Sequence, residues 1–325
     1  MRLNRQAAGL WATVCAFAIA AAAPAVGQQA NPSQPVNVVV PFPPGGFADG
    51  VARIVAEKLG AKLRQTVIVE NKAGASGNLG ARAVAQAAPD GNTILISTTA
   101  TAINGTLFKN MGYATEDLRP VAIVGSAPEA IVVHPSSTIN NLQDLLTQAK
   151  SASLNYGTAG VGTGSYIATT YLLKSLAKVD LVHVPFQGGS AAINAVIGNH
   201  VTAVALTVSP MVAHIAGGRL KALALASTKR SVAMPDVPTY SESGFPGFTA
   251  ASWVGVFVPA KTAGPVVERL NTAINEMLKE PDVQERMRRF GLEPIHGNTA
   301  ETAKFFADEV ANWGKMVGAL GMSIN

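Results

Sequence analysis

Three serines, Ser97, Ser165 and Ser190, fall where strands are expected to turn into helices, a place that can present a nucleophilic hydroxyl. None sits in a Gly-x-Ser-x-Gly elbow. None of His134, His183, His200, His214 or His296 has a spacing that marks a general base, so these read as isolated core or surface histidines. No His-Glu-x-x-His, cysteine cluster or calcium-loop pattern is present, which argues against a metal site. The glycines of Gly160-x-Gly162-x-Gly164 and of Gly74-x-x-Gly77-x-x-Gly80 do not form a dinucleotide fingerprint in a nucleotide context, so no cofactor is expected. The chemistry that remains is binding. In Val38-Val39-Val40-Pro41-Phe42-Pro43-Pro44-Gly45-Gly46-Phe47-Ala48-Asp49 an apolar run ends in a stiff, glycine-rich corner whose backbone N–H groups are uncovered by side chains. Such a corner at the positive end of a helix suits an anion. Asp49 is expected to cap that helix.

The elements that must hold this corner follow from periodicity. Val51, Ile54, Val55, Leu59 and Leu63 recur at helical spacing after Asp49, and strand and helix then alternate. Strands are expected at 66–70, 93–97, 121–124, 130–133, 154–157, 179–184, 201–206, 220–226 and 253–258. Helices are expected at 81–87, 141–150, 165–176, 191–197, 265–279 and 299–316. The pattern argues for α/β architecture with mostly parallel sheets flanked by helices, and the strands are too numerous for one compact sheet. Ligands of open α/β sheets bind at the carboxyl ends of strands. Four small polar loops lie there: Pro43 to Phe47, Ser97 to Thr101 with Thr98 and Thr99, Thr158 to Ser165 with Gly162, Thr163, Gly164 and Ser165, and Phe186 to Ser190 with Gln187. Two glycine-rich helix ends in two sheets predict a cleft between domains. Two carboxylates could be held there, with Phe42, Phe47, Phe186 and Leu206 covering an apolar middle.

Composition narrows the class. Arg2 and Arg5 precede an apolar 7–22 segment and the small residues Ala23-Pro24-Ala25-Val26-Gly27, the order of a secretory signal peptide over residues 1–27. Export to the periplasm is expected, and Cys15, the sole cysteine, leaves with the signal. Without Arg2 and Arg5, 23 of the 25 basic residues face 20 acidic ones, about +3, too little to suggest nucleic acid. The Arg286-Met287-Arg288-Arg289 group lies among Glu280, Asp282, Glu285 and Glu293 and reads as a solvated helix face.

Several blocks carry a family resemblance. Pro41-Phe42-Pro43-Pro44-Gly45-Gly46 with Asp49, Val69-Glu70-Asn71-Lys72, Gly77-Asn78-Leu79-Gly80, Ala88-Pro89-Asp90-Gly91, Leu154-Asn155-Tyr156-Gly157, Val182-His183-Val184-Pro185-Phe186, Asp236-Val237-Pro238-Thr239, Ser252-Trp253 and Trp313-Gly314-Lys315 appear in order along nearly the whole chain. In this the chain resembles the Bug-type substrate receptors of tripartite tricarboxylate transporters. The resemblance implies a two-domain periplasmic-binding-protein fold of the Venus-flytrap, type II class with two crossing strands. It places residues 34–131 plus 254–325 in one domain and 132–253 in the other. It implies a small organic carboxylate as ligand and integral-membrane permease subunits as partners; the missing catalytic partners argue against an enzyme, and a monomer is expected. Ligand-holding positions would be Pro43 to Ala48, with Gly45, Gly46, Phe47 and Ala48, and Thr158 to Ser165. Ala48 stands where a hydroxyl residue is frequent, and Leu206-Thr207 where an acidic residue followed by Asn or Ser is frequent, so unaminated acids, dicarboxylates or aromatic acids, are expected to bind better than amino acids. The alternatives are a receptor that serves a membrane sensor and an exported hydrolase.

Overall fold

A computed structural model describes residues 34–231 and 234–325. The expected signal peptide and Cys15 lie outside the described residues. Among those described, no helix is long and apolar enough to cross a membrane. The elements run β1 Val36–Val40, α1 Phe47–Leu63, β2 Val67–Asn71, α2 Asn78–Ala85, β3 Thr93–Thr98, α3 Ala100–Leu107, β4 Leu118–Val133, α4 Leu142–Gln148 and β5 Asn155–Thr158. They continue with α5 Gly164–Thr170, β6 Val182–Pro185, α6 Gly189–Ile197, β7 Ala203–Thr207, α7 Val212–Ala216, β8 Lys221–Leu225, β9 Ala251–Pro259, α8 Gly264–Met277, α9 Pro281–Arg289, β10 Glu293–Pro294 and α10 Thr299–Ala319.

The strands form a curled mixed sheet in the order β2-β1-β3-β9-β4-β7-β5-β6, with β8 and β10 also pairing β4. Two parallel groups make up its ends. β1 runs parallel to β2 and β3, with Val38 opposite Val69 and Ile94, and β5 runs parallel to β6 and β7. In β1 only Asn37 is exposed, as expected for a parallel strand covered on both faces. Alternation then divides the core between the two faces: Ile94 and Ile96 of β3 pack with Val51, Val55 and Leu59 of α1, while Leu95 packs with Trp253 and Phe257.

The parallel groups are joined by the antiparallel pair β4 and β9. Residues 118–128 of β4 pair with β9, and from Glu129 onward β4 pairs with β7 and β8. Sequence patterning expects two strands here, 121–124 and 130–133, because Gly125 and Pro128 look like breaks. They belong to one sixteen-residue strand. Pro128 lies at the end of the β9 ladder, where the missing N–H is tolerated, and Gly125 lets Glu293 of β10 approach its backbone closely. The strand therefore changes partners without ending.

Two further expectations are corrected. The loop 97–101 already enters α3, whose Ala102, Ile103 and Leu107 are buried; packing makes a helix from a stretch whose two Thr, one Asn and one Gly give it weak intrinsic propensity. The helix expected at 165–176 is α-helical only to Thr170 and continues as π-helix through Tyr171–Leu176. At the carboxyl end, Asn298 and Glu301 form a capping box that starts α10, and α10 packs on α3 and β4. Glu309 of α10 accepts from the indole nitrogens of Trp253 (2.7 Å) and Trp313 (2.9 Å). This fixes the carboxyl-terminal helix to the base of β9.

Candidate functional site

The corner after β1 is braced by side chains of α1 and β2. Gly45 is left-handed, with φ +79°, and Gly46 is the extended residue that precedes the helix. Asp49 is not the N-cap: that place belongs to Gly46, which has no side chain to cap with, and Asp49 lies in the first turn and reaches back. Its Oδ2 accepts from the Gly45 amide (2.9 Å) and Arg53 Nε (3.0 Å), and its Oδ1 from Arg53 Nη2 and Asn71 Nδ2, both at 3.0 Å. Asn71 Nδ2 also donates to the Phe42 carbonyl at 2.9 Å. Burial pushes the Asp49 carboxyl upward, but the donors Arg53, Gly45 and Asn71 outweigh it and hold the group below the usual range. The Gly45 amide is thus occupied, and the amides left for an anion begin beyond it.

The second corner follows β5. Thr163 is a true N-cap of α5, accepting from Tyr166 N at 3.4 Å, while its hydroxyl donates to the Gly160 carbonyl at 2.7 Å. A Cβ at Gly162 would lie 2.5 Å from Asn104 Oδ1 and 2.7 Å from Ser76 Cβ, so the glycine lets this loop touch the opposite lobe. A second bridge crosses the cleft where Ser190 Oγ donates to the Pro44 carbonyl at 3.1 Å.

Between the corners lies a narrow cavity of about 50 Å³. Of the residues singled out from sequence, it is lined by Phe42, Gly46, Phe47, Ala48, Thr98, Thr163, Gly164, Ser165 and Leu206. Phe186 and Gln187 instead line an adjoining groove of about 390 Å³, which shares Phe42, Pro43 and Ala159 with the cavity. Gly45, Gly162 and Thr99 line neither. Gly45 faces Ser190, Gly162 faces Asn104, and Thr99 is fully buried behind Ser252.

Sequence reasoning placed Leu206-Thr207 at a recognition position but missed Ser252 and Glu129, which with Thr207 make a polar floor. Thr207 and Ser252 line the cavity, and behind them Glu129 is buried at the point where β4 changes partners. Glu129 Oε1 accepts from Ser252 Oγ at 2.5 Å and from Thr207 Oγ1 at 3.3 Å, and Ser252 Oγ lies 3.2 Å from Thr99 Oγ1. Glu129 Oε2 is buried with no hydrogen-bond partner. Burial pushes this carboxyl up to about 7, with the Ser252 and Thr207 hydroxyls pulling weakly the other way. One acidic residue inside the apolar run Ala127-Pro128-Glu129-Ala130-Ile131-Val132-Val133 was the available signal.

The serines raised as nucleophiles have other partners. Ser97 Oγ accepts from Thr101, Ser165 pairs with Thr163, and Ser190 donates to Pro44. His183 is held by Thr158 Oγ1 at 2.8 Å between the rings of Tyr156 and Tyr166, and burial pushes it down to about 4. Among the described residues no group of three His, Cys, Asp or Glu could hold a metal ion.

Solved structures share this architecture. The periplasmic binding protein BugD matches with a TM-score of 0.86 at 33% identity, over 90% of this chain and 100% of its own. MatC from Rhodopseudomonas palustris, solved with bound malate, matches with a TM-score of 0.83 at 32% identity, over 88% of this chain and 100% of its own. A second Rhodopseudomonas palustris protein, solved with adipate, matches with a TM-score of 0.87 at 28% identity, over 90% and 99%. Residues 51–322 match the family described as tripartite tricarboxylate transporter family receptor, and with these likenesses the chain belongs to that family, as a Bug-type solute-binding receptor.

Proposed function

We propose that this protein is a periplasmic receptor that captures a small organic carboxylate between its two lobes and delivers it to the membrane permease of a tripartite tricarboxylate-type system. The observation that carries this reading is that two glycine-rich corners, one after β1 and one after β5, converge on one cavity. Helix-end amides there can bind a carboxylate with charge-assisted hydrogen bonds. Phe42, Phe47 and Leu206 supply an apolar wall, which suits a dicarboxylate or an aromatic acid, and no acidic side chain lines the cavity to balance a ligand ammonium. In this reading the lobes are residues 34–131 with 254–325 and residues 132–253, the leader is cleaved near Gly27, and the receptor works as a monomer.

The likenesses to proteins solved with malate and adipate support a carboxylate ligand. Thermal melting against a panel of mono- and dicarboxylates tests it: an acid at 100 times its dissociation constant should add about 2.7 kcal/mol of stability. Calorimetry then compares glutarate with glutamate and adipate with 2-aminoadipate. Tighter binding of the aminated acid in both pairs would reject the preference, and a flat panel would reject the carboxylate reading.

A further inference from the structure

Of the five hydroxyls that line the cavity, four have spent their protons, and Thr98, which accepts from Ala100 N at 3.3 Å, is the exception. A serine or threonine hydroxyl has one proton to donate and two lone pairs to accept with. Thr207 and Ser252 both donate to Glu129 Oε1. Because the Ser252 proton is committed there, its 3.2 Å contact with Thr99 requires Thr99 to be the donor. On the facing corner, Thr163 donates to the Gly160 carbonyl, so its 3.1 Å contact with Ser165 makes Ser165 the donor. Three hydroxyls that line the cavity, those of Ser165, Thr207 and Ser252, therefore offer lone pairs to whatever enters, whereas both lone pairs of Thr163 are taken by Tyr166 N and Ser165.

A carboxylate oxygen placed against these groups would meet acceptor with acceptor, and a buried acceptor left unpaired is costly. Carboxylates belong at the backbone amides, and the floor calls for a ligand that brings a proton of its own. Resting on the carboxylate-receptor reading, we propose that Thr207 and Ser252 accept from a hydroxyl of the ligand, so that the cavity selects a hydroxycarboxylate over the same acid lacking the hydroxyl. Glu129 is the positioning residue. It touches no ligand, but its Oε1 takes both protons and turns the lone pairs of Thr207 and Ser252 to the cavity. Oε1 accepts both as a carboxylate, and it keeps both contacts in the neutral form if the proton sits on Oε2, the oxygen without a partner. Glu129 is 1% exposed, and burial favours its neutral form, so the floor supplies acceptors without a countercharge. That combination fits a hydroxyl and not an ammonium group.

Calorimetry at pH 6 on the full mature protein tests this with malate against succinate, 2-hydroxyglutarate against glutarate, and mandelate against phenylacetate. In at least one pair the hydroxylated acid should bind about tenfold tighter, the worth of one well-made hydrogen bond. Thr207→Val should shrink the preference severalfold. Glu129→Gln, whose carbonyl oxygen still accepts both hydroxyl protons, should keep the preference, whereas Glu129→Met should lose it by freeing those protons. Equal or tighter binding of the unhydroxylated acids by wild type, or a preference that survives both Thr207→Val and Glu129→Met, overturns the inference and leaves the receptor reading standing. Binding confined to carboxylates without a hydroxyl does the same. If no carboxylate binds, both fall.

Discussion

Glu129 is a carboxyl buried away from water. Its carboxyl is raised from 4.5 to about 7 by burial, so its neutral form is the one the fold prefers. A group raised in this way contributes stability that is fully present below pH 4.5 and is lost as pH rises through about 7. The groups facing it are the Ser252 and Thr207 hydroxyls and, electrostatically, Tyr240, whose phenol is itself raised by burial and by Glu129 and does not titrate in this range. His183 has the opposite sign: lowered from 6.5 to about 4, its contribution is present above pH 6.5 and lost as pH falls through about 4. The difference in unfolding free energy between wild type and Glu129→Gln isolates the first effect. It should drop by roughly 3 kcal/mol between pH 4.5 and pH 8, measured by denaturant melts. A pH-independent difference would mean that Glu129 titrates as an exposed carboxylate does.

At the scale of elements, the two corners are opposites in how they are stiffened. The first is held from outside by Asp49, Arg53 and Asn71, and the second from within by Thr163 and the Gly160 carbonyl. Their approach across the cleft depends on Gly162. Asn104, which a Cβ there would strike, is buried and already donates to the Ser76 carbonyl (3.0 Å) and Asn78 Oδ1 (2.9 Å), so it cannot turn aside. Gly162→Ala should therefore hold the loops apart and weaken binding of the best carboxylate by about tenfold or more. Stability without ligand should change by less than about 1 kcal/mol, because a separated cleft has room for a methyl group. Calorimetry and thermal melting of the variant check both halves, and unchanged affinity would show that the loops need not meet.

At the scale of the molecule, the cavity of about 50 Å³ holds no more than a few water molecules, and the Ser190–Pro44 and Gly162–Asn104 contacts cross the cleft beside it. The lobes touch across the cleft in this structure, and separation of the lobes is expected to make room for a dicarboxylate. The joint available for that motion is the β4–β9 pair, where β4 exchanges partners at Glu129. Small-angle scattering should give a larger radius of gyration for the free protein than this form has, and saturating carboxylate should reduce it. An identical radius in both conditions, matching this structure, would argue against lobe opening.

The sequence by itself determined the alternating α/β order, the glycine-rich corners and the membership of the chain in its family, because those depend on local periodicity, turn chemistry and contiguous motifs. It could not show that 118–133 is one strand, since a proline and a glycine inside a strand become tolerable only when the ladder changes partners beside them. Nor could it assign Asp49, whose partners Arg53 and Asn71 are placed by helix phase and by the β1–β2 register. The polar floor was least legible of all. Glu129, Thr207 and Ser252 lie on three strands, far apart in the chain, and only the antiparallel joining of β4 with β7 and β9 brings their side chains together and decides which way their protons point.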